Sequence, residues 1–272
     1  MKPTAAGDKS SKVKPPPVAS AKPAAPAAAV ASPPPAAPAK TPALAKTPAP
    51  APLPPGEYAT LPLPFTGVPY WELRDSQNRS ALLAGARPNA LFLGDSITDF
   101  LQSGSGKPLW DEYYAPLTAL DFAIGGIRTS HVLWQVETGQ VLMANPKVVV
   151  LLMGSNNLGI GQSPEEAAAG IEKIVDELGL QLPRTRVLLI GILPRGASAN
   201  DPFRYKIAKT NSLIAGLHDG KRVFYLDVGA QFLSRDFSIS ADVMPDGAHP
   251  SLWGYMLYSV AIWPTLTELL KR

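Results

Sequence analysis

The fold is decided by the stretch Leu91-Phe92-Leu93-Gly94-Asp95-Ser96-Ile97-Thr98, in which an apolar run passes directly into a polar turn. Similar apolar runs recur along the chain, and stretches with a helical pattern separate them. This alternation indicates an α/β fold with a parallel sheet, and the order of elements predicts a doubly wound sheet with helices on both faces. The five predicted strands are Ala90–Leu93, Ala119–Ile124, Val148–Met153, Val187–Leu193 and Val223–Val228.

Several predicted helices have recognisable ends. Ser163-Pro164-Glu165-Glu166 is a capping box with proline at the first helical position. The apolar face that follows it consists of Ile171, Ile174, Val175 and Leu178. Gly179 then predicts a left-handed stop, and Asp201-Pro202 predicts the start of another helix. A last helix is expected from Ser251 to about Leu270, with a bend at Pro264.

The first 57 residues differ in composition from the rest of the chain. Residues 1–55 hold 16 of the 30 prolines, and most of the remainder is Ala, Lys, Ser and Thr. Such a segment favours extended polyproline conformations and has no apolar face that could offset the entropy of ordering. The sequence therefore predicts a disordered Pro/Ala/Lys-rich tail or linker over residues 1–57 and one domain over residues 58–272.

The net charge of +3 comes from this tail. Residues 1–55 carry seven Lys and one Asp, so the rest of the chain has a net charge of −3. Nucleic-acid binding needs a basic surface on the folded domain, and no nucleic-acid partner is therefore predicted. The tail could contact an anionic surface, although a solvated spacer is the simpler interpretation.

The absence of cysteine excludes disulfides, thiolate catalysis and Cys-ligated metals. No apolar run reaches the length of about 18 residues that a transmembrane helix needs, so no transmembrane segment is predicted. Met1-Lys2-Pro3 does not begin a hydrophobic signal core, yet Pro/Ala/Lys linkers often follow export signals. We therefore hypothesise a periplasmic or extracellular protein whose signal is absent from this chain, with a cytoplasmic location as the alternative.

Four polar motifs follow in a fixed order, and three of them come directly after predicted strands. They contain Ser96, the pair Gly125-Gly126, the pair Asn156-Asn157 and the run Asp246-Gly247-Ala248-His249. Because the carboxyl ends of parallel strands meet at one edge of a sheet, we expect the first three motifs to lie at the same rim. A serine, a glycine turn, an asparagine and an Asp/His pair are the groups that an ester hydrolase needs.

Ser96 is the candidate nucleophile and His249 the candidate base, because a serine hydroxyl attacks only when a neighbouring group removes its proton. Asp246, three residues before His249, could hold the imidazole in the required tautomer. The alternatives are a helix cap formed by Asp95 or Ser96, and a loop histidine that pairs with Asp246 for stability alone.

The candidate donors to an oxyanion are the backbone N–H groups of Ser96 and Gly126 and the side-chain amide of Asn156. The alternatives are a plain turn at the glycines and a strand-end cap at Asn156, with Asn157 as a rival donor. Asp95 and Asn157 are otherwise expected to support the site.

No metal site or phosphate loop is predicted. Gly104-Ser105-Gly106-Lys107 looks like part of a phosphate loop, but Pro108 follows the lysine and Leu101 occupies the first glycine position. His131 and His218 are interpreted as structural or surface residues, since no spacing typical of zinc ligands is present.

Residues 88–272 resemble the SGNH (GDSL-type) hydrolase superfamily. Its Ser, Gly, Asn and His blocks match Ser96, Gly126, Asn156 and Asp246/His249 here. The chain is most similar to the branch that includes the catalytic subunits of intracellular platelet-activating-factor acetylhydrolase and related bacterial carbohydrate esterases. The segments that carry this similarity are Ile124-Gly125-Gly126, His131-Val132-Leu133-Trp134, Leu193-Pro194-Arg195-Gly196 and Tyr225-Leu226-Asp227.

The resemblance implies a flavodoxin-like three-layer α/β/α sandwich with a five-stranded parallel sheet. It also implies hydrolysis of short acyl esters through an acyl-serine intermediate, without a cofactor. The chain departs from the branch at Ile127, where an Asp usually follows the second glycine.

The first hypothesis is a metal-independent serine esterase that acts on acetyl or other short acyl esters of carbohydrates, as small molecules or polysaccharides. An acyltransferase that moves acetyl groups onto sugar hydroxyls is the second hypothesis. The third is a binding or scaffold protein with an idle triad, which the departure at Ile127 and the basic tail suggest.

Overall fold

The computed structural model describes residues 57–272. The predicted tail lies outside the described residues except for Glu57, at which the first helix begins. Five strands form one sheet in which every neighbouring pair is parallel. They are β1 (Ala90–Gly94), β2 (Ala119–Asp121), β3 (Val148–Leu152), β4 (Arg186–Ile190) and β5 (Val223–Leu226).

The strands are arranged in the order β2-β1-β3-β4-β5. This is the order of a flavodoxin-like doubly wound sheet, in which the direction of winding reverses between the first and third strands. The predicted α/β fold is therefore confirmed. Within residues 57–272, none of the helices combines the length and the apolarity that crossing a membrane requires.

Four of the observed strands, β2 to β5, end one to three residues before their predicted ends. After β2, Phe122 N still donates to Phe92 O at 2.8 Å and Ile124 N donates to Gly94 O at 3.2 Å. The apolar run therefore stays hydrogen-bonded to β1 beyond the end of β2. It leads directly into the Gly125-Gly126 turn.

Ten helices connect and flank the strands of the described chain. They are α1 (Glu57–Thr60), α2 (Pro69–Leu83), α3 (Ser96–Ser103), α4 (Lys107–Leu109), α5 (Thr129–Glu137), α6 (Gln140–Ala144), α7 (Ser155–Gly159), α8 (Pro164–Gln181), α9 (Pro202–Ala215) and α10 (Leu252–Lys271). Single turns of tighter or wider helix occupy Trp110–Tyr114, Ala115–Leu117 and Gly229–Phe232.

The predicted helix starts are confirmed by side-chain hydrogen bonds. Ser163 Oγ accepts from Glu166 N at 3.1 Å, and Glu166 accepts from Ser163 N at 2.7 Å. Asp201 caps α9 by accepting from Phe203 N at 2.9 Å. The side chain of Ser251 caps α10, which continues through Pro264, and the bend there stays a prediction.

The predicted left-handed stop at Gly179 is wrong, because α8 continues to Gln181. A Cβ at Gly179 would lie 2.9 Å from Cζ of Arg222. The Arg222 guanidinium crosses the helix there and donates to Val175 O at 3.2 Å. The glycine therefore makes room for Arg222, the residue before β5, and it does not end the helix.

The sheet has an apolar layer on each face, because alternate strand residues point to opposite sides. Leu91 and Leu93 of β1 pack toward α5, α8 and α9. Phe92 packs on the other face, toward Trp110 and α10. The strands β1 and β3 are buried along their whole length, as central parallel strands should be.

We expect Gly170→Ala to lower the free energy of unfolding by about 2 kcal/mol, because the added methyl group meets atoms that cannot move away. A Cβ at Gly170 would lie 2.5 Å from Thr129 Oγ1 and 2.6 Å from Ala59 O, which are themselves hydrogen-bonded. The matched control is Gly179→Ala, where the contact is the flexible end of Arg222 and the change should stay within about 1 kcal/mol. Urea denaturation measures both, and equal stabilities for the two variants would contradict the prediction.

Candidate active site

Three of the four polar motifs lie at the carboxyl ends of the strands β2, β1 and β3. Ser96 begins α3 directly after β1, and Asn156 lies in α7 directly after β3. The Gly125-Gly126 turn follows β2. Since β1 and β3 are neighbours at the point where the winding reverses, the motifs occupy the crevice in which doubly wound sheets bind ligands.

Ser96, His249 and Asp246 form one chain of hydrogen bonds. Ser96 Oγ lies 2.8 Å from His249 Nε2, although the two residues are 153 positions apart. On the other side of the ring, His249 Nδ1 lies 2.6 Å from Asp246 Oδ2. A proton on Nδ1 is held by the carboxylate, and Nε2 is then free to accept the serine proton.

Asp246 is fixed by the loop that carries it. Its Oδ1 accepts from the backbone N–H groups of Ala248 at 2.9 Å and His249 at 2.7 Å. Partial burial opposes ionisation, but the hydrogen bonds from the His249 ring and from these two N–H groups lower the pKa of Asp246 to about 2. The carboxyl group therefore stays ionised at neutral pH and is available as an acceptor for the His249 ring.

Asp95 caps the N-terminus of α3. The hydroxyl group of Ser96 is therefore not needed as a cap and hydrogen-bonds to His249. Asp95 Oδ1 accepts from Ile97 N at 3.1 Å, and the residue is only 1% exposed. Burial raises the pKa of Asp95 to about 6, against the opposing effect of this backbone hydrogen bond. Of the two caps considered from the sequence, the structure thus contains the one formed by Asp95.

The glycine turn lies beside Ser96 and connects it to Asn156. A Cβ at Gly125 would lie 3.7 Å from Ser96 Cβ, and Gly126 has a φ of +81°, which favours glycine. The carbonyl of the next residue, Ile127, accepts from Asn156 Nδ2 at 2.9 Å. Serine, turn and asparagine are therefore joined in one array.

The side chain of Ile127 is completely buried in the apolar layer next to α5 and α8. It does not face the candidate site, to which this residue contributes only its backbone carbonyl. The departure at Ile127 therefore gives no support to an idle triad.

Asn157 is completely buried, and its amide is bonded within the fold. Its oxygen accepts from Thr129 N at 3.2 Å, and its nitrogen donates to Thr129 Oγ1 at 2.8 Å and Gln162 Oε1 at 2.6 Å. These bonds fix the first turn of α5 against α7. Asn157 is thus directed away from the rim, in contrast to Asn156.

The two other histidines take part in contacts of the fold. His131 Nδ1 accepts from Arg128 N at 3.2 Å, and its ring stacks on Phe65. Burial and the nearby Arg128 lower the pKa of His131 to about 4, so the ring is neutral. His218 Nδ1 accepts from Tyr225 N at 3.0 Å. Neither ring belongs to the array around Ser96.

The loop Arg195-Gly196 is a part of the site that sequence reasoning missed. Gly196 N donates to Gly247 O at 2.8 Å and so ties this loop to the one that carries His249. Arg204 in α9 donates to Arg195 O at 2.7 Å and to Gly196 O at 2.9 Å. These bonds to backbone oxygens join separate segments of the chain, and no residue pattern in one sequence indicates them.

Phe100 and Asp99 were also missed, although both had a signal. The Phe100 ring lies 5.2 Å from the His249 ring, and Asp99 accepts from Gly125 N at 2.8 Å. Both residues lie three or four positions after Ser96 on α3, a spacing that places side chains on the same face of a helix.

A serine, a histidine and an aspartate in such a hydrogen-bonded chain are found in hydrolases on several unrelated folds, so the site indicates the hydrolase class but not the family. Comparison with known proteins gives the family. The model of the GDSL-like lipase/acylhydrolase family matches residues 92–257. The chain belongs to this family, within the SGNH hydrolase superfamily, and is therefore an acylhydrolase with esterase-type chemistry.

Curated relatives and solved structures are similar to the same part of the chain. The platelet-activating factor acetylhydrolase IB subunit alpha2 of Gallus gallus is 40% identical over 68% of this chain and 79% of its own length. Two solved structures share the fold at lower identity. One is a putative platelet activating factor from Streptococcus pneumonia, with 22% identity, a TM-score of 0.60 and coverage of 72% of this chain and 92% of its own. The other is an acetylxylan esterase from Geobacillus stearothermophilus, with 18% identity, a TM-score of 0.52 and coverage of 66% and 94%.

We expect the free energy of unfolding of Asp95→Asn, relative to that of the wild type, to increase by up to about 3 kcal/mol as the pH rises from about 4 to about 7. The pKa of Asp95 is raised in the folded state, so the folded protein binds this proton more tightly than the unfolded chain. Its contribution to stability is therefore present at low pH and is lost as the pH rises through about 6. Asparagine keeps the helix cap but has no such proton.

Urea denaturation of both proteins at several pH values measures this difference. Asp242→Asn, at an exposed position, is the control for the substitution itself. A stability difference between Asp95→Asn and the wild type that does not change with pH would contradict the assignment of a raised pKa.

Proposed function

We propose that the protein is a metal-independent serine esterase that hydrolyses short acyl esters, in particular acetyl esters of carbohydrates, through an acyl-serine intermediate. The observation that carries the proposal is the continuous chain from Ser96 Oγ through His249 to Asp246, with contacts of 2.8 Å and 2.6 Å. Such a chain gives a serine hydroxyl a base at hydrogen-bond distance and gives that base a fixed orientation.

In the proposed reaction, Ser96 Oγ attacks the ester carbonyl carbon while His249 Nε2 takes the hydroxyl proton. The tetrahedral intermediate collapses, His249 gives the proton to the leaving alcohol, and the acyl group stays on Ser96. A water molecule then attacks the acyl-serine with His249 as base, and the acid and free Ser96 are released. The His249 side chain is 35% exposed, which supports access of water for this second step.

The oxyanion of both intermediates would be bound by the N–H groups of Ser96 and Gly126 and by the amide of Asn156. The position of Ser96 supports this role, because it is the first residue of α3, and a helix N-terminus is where backbone N–H groups bind anions. Asn156 Nδ2 carries two N–H bonds, so it can donate to the oxyanion while it keeps its bond to Ile127 O. Asp95 and Asn157 would support the site indirectly. Their side chains accept from the backbone N–H groups of Ile97 and Thr129 and so fix the helix starts next to the site.

The preference for acetyl esters is supported by two kinds of observation. The names of a relative and of a structural neighbour, an acetylhydrolase and an acetylxylan esterase, both refer to removal of an acetyl group. The Asp246 side chain is 56% exposed and the His249 side chain 35%, so the reacting groups lie at an open rim. An open rim suits an acetyl group on a large carbohydrate better than a long acyl chain, which needs apolar cover.

The test is hydrolysis of p-nitrophenyl acetate, butyrate and octanoate by the full chain, with EDTA present. The kcat/KM should be highest for acetate, and Ser96→Ala should lower kcat by about 10⁴-fold or more, because the nucleophile is lost. Ser80→Ala is the matched control, since Ser80 is an exposed serine on α2. Release of acetate from acetylated xylo-oligosaccharides measures the carbohydrate part of the proposal.

Equal activity in the wild type and in Ser96→Ala would contradict the assignment of the nucleophile, and loss of activity in EDTA would contradict metal independence. Faster cleavage of octanoate than of acetate would contradict the substrate class. A free sugar added as acceptor distinguishes hydrolysis from transfer, because an acyltransferase would form acetylated sugar in place of acetate.

A further inference from the structure

The Gly125-Gly126 turn is held by side chains on both sides of Gly125. Gly125 N donates to Asp99 Oδ2 at 2.8 Å, and Gly125 O accepts from Trp71 Nε1 at 2.7 Å. Trp71 belongs to α2, which lies before the part of the chain that the family model matches. A helix outside the matched region therefore contacts the turn that contains the candidate oxyanion donor.

The bond from Trp71 also determines the direction of the Gly126 N–H group. Gly125 C=O and Gly126 N–H belong to one planar peptide unit, and the described chain contains no cis peptide bond. In a trans unit the two groups point in opposite directions, so a donor that fixes the oxygen also fixes the N–H group. Two successive glycines have wide backbone freedom, and without such a donor this unit could rotate into another orientation.

Trp71 is itself held in place by aromatic neighbours and by the turn. Its ring lies 6.5 Å from the Phe65 ring in an edge-on arrangement and 5.0 Å from the His131 ring. A Cβ at Gly126 would lie 3.6 Å from Trp71 Cζ2, so the indole packs directly against the turn. The indole N–H group is thus a fixed donor on a packed ring.

The hydrogen bond should also strengthen the Gly126 N–H group as a donor. A carbonyl that accepts a hydrogen bond polarises its peptide unit, and the N–H group of the same unit then carries more positive charge. An oxyanion gains from donors that are both oriented before the reaction and polarised.

We infer that Trp71 is a positioning residue for the reaction, which holds the Gly125-Gly126 peptide so that Gly126 N–H is directed at the oxyanion. The inference rests on the proposed function, because it concerns the donor to the intermediate of that reaction. Asp99 holds the preceding peptide, but it also contacts Tyr70, Ser103 and Arg74, and its loss would leave Arg74 with a weaker set of partners. Trp71 is therefore the residue that tests the role most directly.

Trp71→Phe removes the N–H donor and keeps an aromatic ring against Phe65 and His131. We expect kcat to fall about 10-fold with KM within about two-fold, because the lost bond acts on a donor that is used mainly in the transition state. A trifluoromethyl ketone, which forms a tetrahedral adduct with an active-site serine, should lose affinity by the same factor as kcat/KM. Benzothienylalanine at Trp71 keeps the shape of indole without its N–H group, and it should give the same result if the Phe variant is unstable.

Trp134→Phe is the matched control, because Trp134 packs edge-on against the same Phe65 ring. Its kcat and inhibitor affinity should stay within about two-fold of the wild type. Unchanged kcat and inhibitor affinity in both Trp71 variants, or equal losses in Trp134→Phe, would overturn the inference.

A second measurement does not depend on turnover. In ¹⁵N-glycine-labelled protein, the Gly126 amide signal should broaden in Trp71→Phe and stay sharp in Trp134→Phe, because only the first variant lets the peptide rotate. A sharp, unshifted Gly126 signal in Trp71→Phe would overturn the inference. The two proposals can also fail separately. If the Gly126 signal broadens in Trp71→Phe but the wild type cleaves no ester, Trp71 still positions the peptide, and the proposed esterase function is contradicted.

Discussion

The candidate site depends on the close approach of the ends of β1 and β3. Gly94 pairs with Leu152 in the last register position of the two strands. A Cβ at Gly94 would lie 2.3 Å from Thr98 Oγ1 and 2.9 Å from Leu152 O, so only glycine fits between α3 and β3. This contact brings Ser96, two residues later, to the same edge of the sheet as α7. The loops that carry the base and the oxyanion donors are then assembled around this crevice.

The helix α2 also supports the site, and it does so through Arg74 as well as through Trp71. Arg74 lies 3.4 Å from Asp99 and 3.7 Å from Asp121, two completely buried carboxyl side chains behind the glycine turn. Burial raises the pKa of Asp121, and the nearby Arg74 opposes this effect. One guanidinium thus lies beside two buried acids, and one of these, Asp99, accepts from Gly125 N at 2.8 Å. The glycine turn is therefore held in part by polar groups on α2, a helix that carries none of the four motifs.

The sequence was sufficient for the features that depend on local patterns, and it failed where distant segments meet. The five strands were predictable because their apolar runs are typical of buried parallel strands, and the α8 cap because Ser163 and Glu166 bond to each other. The helix α2 was missed, since only Asp75, Asn78 and Leu82 of its 15 residues are buried and no apolar face repeats. The error at Gly179 has the same origin, because the chain that packs on it lies beyond β4. The motif residues of the candidate site could be named from the sequence, but Trp71 and Arg74 of α2, which support the glycine turn, could not.

The most direct test of this account is covalent labelling of the full chain with a small fluorophosphonate, followed by digestion and mass spectrometry. Phosphonylation needs a nucleophile, a base and an oxyanion site in the same geometry as ester hydrolysis. One adduct is expected, on Ser96, and it should form far more slowly after His249→Asn, because the base at 2.8 Å is lost. An adduct on a different residue, or equal labelling rates with and without His249, would contradict it.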